Sequence, residues 1–402
     1  MTKWGVNRLV RGNSVLINED KTNIFLNSNA KTISELVLQM KDKSFYPLLR
    51  KKIHLAEKNK EEKFHDFNDY EILYYYVHEQ KNIDENKNRK DNTRKEYLRE
   101  LLHFAKNIAQ YAADIGIDIN EIYEGSLFKS LEPRHLSLYQ VWMVKKAPKL
   151  VGKESYSPAT ISRKNAIIKD FLSFLYEKRY LIEPIHTEMG TATVSIDERP
   201  NKDLGANEVI QILKFFKDEK HPIIYGIIHV LVTTGIRNSE FCKARICDLT
   251  YDQGRSEYYL LVDGKGNKKR TVPIKPKVFQ SIVEFRRMRG LETNLDSSDK
   301  NSLFVTSSLK AYTPSYLSQY LNKAITRTSL EFIKKRSNPI GPHTYRHAFS
   351  IISYNSGADI YKIMRSLGHE SIETTKIYLQ KEFEKDNHAT HMWDKGDLAE
   401  YI

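Results

Sequence analysis

Cysteine is almost missing from this chain. Cys242 and Cys247 are the only two in 402 residues, and without a second pair they cannot complete a four-ligand zinc site. They read as core thiols of a protein kept in a reducing compartment. Long apolar runs are missing too. No stretch approaches the roughly 18 residues needed to span a bilayer. The opening MTKWGVNRLVRGNSVLINEDK has no apolar centre of signal-peptide length, so a cytoplasmic protein with no membrane partner is expected. An acidic excess is also missing. Lys and Arg number 64 against 51 Asp and Glu, giving a net charge of +13 and a pI near 9.3. Such a surface attracts phosphate backbones or anionic membranes. What is present is 40 % apolar residues, enough for packed cores, in a length suited to two or three domains.

Residues 1–88 are rich in Lys, Asn and Glu, with helical spacing at Thr32–Met40 and Phe67–His78. The polar run KNIDENKNRKDN reads as a linker. Beyond it, Tyr97, Leu101, Phe104, Ile108 and Tyr111 recur every three or four residues. A second helix is expected in SPATISRKNAIIKDFLSFLYEKRYL, with Ser157 as N-cap and Pro158 at the first helical position. Residues 186–203 read as an extended connection. After it comes the apolar helix around Ile223–Leu231. EYYLLVDGKGNKKRTVPIK then reads as a β-hairpin turning at Gly264 and Gly266. Helices are expected from there to the end, apart from a short extended break at SLFVTSS.

The chemistry concentrates near the C-terminus. GPHTYRHAFSIISYNSGADIYKIMRSLGHESIETTKIYL carries His343, Arg346, His369 and Tyr378, none of them a carboxylate. Two imidazoles, a permanent cation and a phenol suit attack on a phosphodiester better than metal-dependent hydrolysis, so no metal and no cofactor are expected. Arginine meets the charge on nonbridging oxygens with a planar fork. A histidine relays the proton, and a tyrosine can hold the phosphate covalently. His343 and Arg346 share a helix face. Each residue alone has an ordinary alternative as a packed ring or surface pair; the combination carries the signal.

HTYRHAF, LGHESIETTKIY and TGIRNSE resemble the three signature boxes of the tyrosine recombinase (phage integrase) family, in the family's order. GKGNKKRTVPI resembles its lysine hairpin, and residues 93–185 resemble its core-binding domain. The box HTYRHAF departs from the family pattern at Tyr345, an apolar packing position where leucine is usual. The resemblance implies a mainly α fold with a small β-sheet. A helical, SAM-like core-binding domain (89–185), a linker (186–203) and an α+β catalytic domain (204–384) would form a C-shaped clamp on DNA. Residues 1–88 would be an arm-type DNA-binding or accessory extension. Residues 385–402 would form a tail that docks on a neighbouring protomer, with Met392 and Trp393 as anchors.

The resemblance further implies catalytic roles for Arg237, Lys265, His343, Arg346, His369 and the nucleophile Tyr378, with Glu240 and Asp248 in support. His347 is expected to be structural. Arg163, Lys164, Lys268, Lys269 and Arg270 are candidate DNA contacts. The implied activity is site-specific recombination through a 3′-phosphotyrosyl bond and a Holliday junction, in integration or transposition by a mobile element, without metal or ATP. The implied partners are double-stranded DNA, a homotetramer on paired sites and directionality factors, in the bacterial nucleoid. Type IB topoisomerase-like relaxation and a non-catalytic DNA-binding regulator are the alternatives.

Overall fold

A computed structural model describes residues 32–119, 122–148, 156–193, 202–264, 268–294 and 296–391. The chain divides into two compact units, Met1–Arg199 and Pro200–Ile402.

The described part of the first unit is helical: α1 (Ile33–Met40), α2 (Tyr46–Lys58), α3 (Asp69–His78), α4 (Asp91–Ile115), α5 (Pro133–Lys145) and α6 (Pro158–Glu177). Local chemistry sets the starts. Thr32 and Glu35 exchange capping-box bonds at α1, and Asn68 and Glu71 do the same at α3. Ser157 accepts from the Thr160 amide above Pro158. One apolar core runs without a break across residue 88. Leu49, Tyr74 and Tyr76 from before it pack with Leu101, Phe104, Phe171 and Leu172 from after it. A buried carboxylate ties this core together. Asp69 accepts from the Ser126 and Tyr180 hydroxyls and from the amides of Leu127 and Phe128.

The second unit contains α7 (Ala206–Asp218), α8 (Pro222–Thr234), α9 (Asn238–Lys243), α10 (Pro276–Met288), α11 (Pro314–Thr326), α12 (Glu331–Lys334), α13 (Pro342–Asn355), α14 (Ile360–Leu367) and α15 (Ile372–Asp386). Its antiparallel sheet has the order β1 (Leu249–Asp252), β2 (Glu257–Asp263), β3 (Lys269–Ile274). β2 and β3 form the hairpin read from the sequence, in a register that pairs Leu260 with Val272. β1 was not anticipated; at four residues it is too short to show an alternation. The apolar α8 is central. α10 and α13 pack on it, and Ile227, Ile228, Val230 and Leu231 are wholly buried. Cys242 also lies in this core, where burial pushes its thiol up to about 12. Ile351, Ile363, Leu367 and Leu379 make a small separate core among α13, α14 and α15, with Tyr378 packed against it. Among the described residues, no helix is long and apolar enough to cross a membrane.

Candidate active site

Two helix C-termini build the frame. α8 ends at Gly235 and α14 at Gly368, both left-handed, with φ of 61° and 65°. A side chain at Gly235 would meet Phe349 and Leu367 at under 3 Å. The last carbonyls of a helix lack intrahelical donors and carry the negative end of its dipole. Here they face guanidinium groups. Arg346 Nη1 donates to Gly235 O and Nη2 to Leu367 O, each at 2.7 Å. Arg237 Nη2 donates to Gly368 O at 3.0 Å, and Arg270 Nε donates to Ser366 O at 3.0 Å.

Glu240 completes this frame. Its side chain is 2 % exposed. It accepts from the Arg237 amide at 2.7 Å and from Arg237 Nη1 at 2.9 Å. The Arg270 fork binds both its oxygens, at 2.9 and 2.8 Å. Burial alone would raise the Glu240 pKa. The bonds from Arg270 and Arg237 outweigh it and hold the carboxyl at about 2. The carbonyls likewise allow Arg346 to stay charged although it is 2 % exposed. Burial and the neighbouring Arg237 lower it only to about 10. Each fork has five N–H groups, and the two bonds made by Arg237 leave donors for a phosphate on its exposed side.

α13 and α15 bring the remaining groups together. The Tyr378 ring has His343 at 5.8 Å, His369 at 5.3 Å and His347 at 4.6 Å between centroids. His369 follows Gly368, and its Nδ1 lies 2.9 Å from Thr375 Oγ1. Desolvation and the surrounding arginines push His369 down to about 4. His343 meets solvent at its rim, yet the protein behind it and the cations Lys202, Arg346 and Arg237 also lower it to about 4. Both rings are therefore neutral near pH 7 and able to accept a proton.

Arg237, Glu240, His343, Arg346, His369 and Tyr378 thus converge. Lys265 lies outside the described residues. Asp248 is elsewhere engaged: it caps its own turn and pairs with Arg245 at 2.9 Å. Arg270 is not turned outward as a hairpin DNA contact would be, because both ends of its fork bind Glu240. Arg163 pairs with Glu96, and Lys164 with Glu100. These cations hold α6 against α4. Lys268 and Lys269 are exposed, with Lys268 2.9 Å from Glu370. Two residues acquire importance only here. Arg270 reads as one cation of a basic hairpin until its contact with Glu240 is seen. His347, expected to be merely structural, has the ring nearest to Tyr378; its position one residue after Arg346 was the available signal.

Residues 202–385 match the model of the phage integrase family. The tyrosine recombinase XerC of Thermodesulfovibrio yellowstonii is 26% identical over 282 residues, covering 69% of this chain and 87% of that protein. The XerH site-specific recombinase on palindromic difH substrate, in a post-cleavage complex, aligns with a TM-score of 0.54 at 17% identity. That alignment covers 89% of this chain and 97% of XerH. A lambda integrase tetramer bound to a Holliday junction also aligns with a TM-score of 0.54, at 13% identity over 73% of this chain and 72% of that one. The fold is that of enzymes that break and rejoin DNA strands. The chain is a tyrosine recombinase, and its residues 202–385 carry a domain of the phage integrase family. Its activity is site-specific recombination; topoisomerase-like relaxation and a catalytically dead regulator are not favoured.

Proposed function

We propose that Tyr378 is the nucleophile and that Arg237 and Arg346 hold the scissile phosphate. The observation that supports this reading is the ring of His343, His347 and His369 around Tyr378 beside two fixed guanidiniums. The phenol oxygen bonds to phosphorus and passes its proton to neutral His343. The bond to the 5′-oxygen breaks, and that oxygen takes a proton from Lys265. His369 donates to a nonbridging oxygen as charge builds there. The 3′-phosphotyrosyl bond keeps the energy of the broken linkage, so a 5′-hydroxyl of the partner strand can reverse the step. Two such exchanges, through a Holliday junction, recombine two duplexes.

The first unit is proposed to supply the core-binding domain, with residues ahead of 89 as its accessory part, and residues 204–384 the catalytic domain. A homotetramer on paired DNA sites is the proposed working assembly, as for the lambda integrase tetramer on its junction. Met392 and Trp393, the proposed anchors of a tail docked on a neighbour, lie outside the described residues. Directionality factors and action at the bacterial nucleoid belong to the same proposal. The test is a nicked suicide substrate incubated in EDTA. A covalent adduct is expected with the wild type and none with Tyr378→Phe; equal trapping by both sinks the reading.

A further inference from the structure

The helix that carries Tyr378 is held by a residue far from the signature boxes. Asp203 precedes the first helix of its unit. Its Oδ2 lies 2.6 Å from Lys381 Nζ, one turn beyond Tyr378 on α15. Its Oδ1 lies 3.5 Å from His347 Nδ1, and His347 has the ring closest to Tyr378, at 4.6 Å and tilted by 46°. The backbone of Asp203 is itself fixed, because its carbonyl accepts from Arg336 Nη1 at 2.7 Å. One carboxylate therefore pairs with the next turn of the tyrosine's helix and lies beside the imidazole that packs on its ring, without a hydrogen bond to that imidazole's Nδ1.

We infer that Asp203 is a positioning residue for the nucleophile. It acts through His347 and Lys381 and touches no reacting atom. A tyrosine on a helix has few torsions to fix. Holding α15 through Lys381 sets the direction of the Cα–Cβ bond. Packing beside the buried His347 keeps that ring in place as the wall against which the phenol lies. Together they aim the phenol oxygen at the phosphate held by the two arginines. Aim of this kind matters, since a misplacement of about 1 Å costs on the order of 100-fold in rate. The inference rests on Tyr378 being the nucleophile.

The experiment uses the full chain with Asp203→Asn, Asp203→Glu and Lys381→Met. DNA affinity and single-turnover cleavage of the nicked substrate are measured side by side. Asp203→Asn is expected to slow cleavage about 10- to 100-fold, with affinity changed less than about threefold, and Asp203→Glu to recover part of the rate. A substrate with sulfur at the 5′-bridging position, whose thiolate leaves without an acid, should not restore Asp203→Asn, because the fault is on the attacking side. Wild-type cleavage by Asp203→Asn overturns the inference. So do parallel losses of affinity and rate, and so does rescue by the sulfur substrate. Should Asp203→Asn fail to fold by circular dichroism, Lys381→Met decides: slowed cleavage at unchanged affinity supports the inference, and wild-type cleavage overturns it. Absence of any adduct with the wild type instead removes the Tyr378 reading, and this inference with it.

Discussion

Asp69 in the first unit and Glu240 in the second are both buried carboxylates, and the two have opposite surroundings. Asp69 and Glu240 are 4 % and 5 % exposed. Asp69 is met by two hydroxyls and two amides, all neutral. Burial dominates, and its pKa is raised. Glu240 is met by two guanidiniums, which overcome a similar burial and hold it at about 2. The first arrangement joins segments of chain. The second keeps two cations close together in a half-buried pocket, where they would otherwise repel each other. Burial alone therefore does not set the charge of a buried carboxylate; the charge of its partners does.

Substitution of Glu240 should break the catalytic half most severely. Glu240→Gln leaves Arg237 and Arg270 facing each other without an anion and is expected to cost about 3–5 kcal/mol in urea unfolding, with cleavage lost as well. Arg237→Ala and Arg346→Ala come next. Both are expected to slow covalent trapping about 100- to 1000-fold, while DNA affinity falls less than about tenfold. Equal losses of binding and cleavage would make them anchors only. Asp69→Asn sharpens the contrast from the other side. It should cost about 1–3 kcal/mol and leave the cleavage rate per folded molecule unchanged.

The pH dependence of these variants should have opposite signs. The Glu240 pKa is below its ordinary 4.5, so its stabilisation is complete above that value and is lost as pH falls through about 2. The stability gap between wild type and Glu240→Gln should shrink on acidification. The Asp69 pKa is raised above its ordinary 3.8, so the folded state gains relative to the unfolded one as this carboxyl takes up its proton. The wild type should therefore gain on Asp69→Asn as pH falls. Urea unfolding across this acid range reads both. The smallest effect is expected at the exposed Lys268. Lys268→Ala should leave stability within about 0.5 kcal/mol and reduce the salt slope of DNA binding by about one charge.

The legible part of the site was the part written in contiguous sequence. The run from His343 to Tyr378 carries the phenol of Tyr378, the imidazoles of His343 and His369 and the guanidinium of Arg346 on the helices expected there. The starts at Thr32, Asn68 and Ser157 also follow from local capping chemistry. The extent of the first core was not legible, because the polar run around residue 88 reads as a break while Tyr74 and Phe171 pack across it in space. Arg270 was misread for a related reason. A cation beside a turn gives no sign of whether it faces DNA or a buried glutamate 30 residues earlier.

By itself, the sequence determined the chemical class: side chains suited to holding a phosphate and a tyrosine suited to attacking it, placed on helices whose starts are local. Only the tertiary structure decided which charges are available. It assigned Arg270 to Glu240, placed His347 against Tyr378, and brought Asp203 to Lys381 across 178 residues of chain. The physical reason is that residue type and local spacing fix what a group can do. Burial and long-range partners fix its charge state and its aim, and those exist only after the chain has folded.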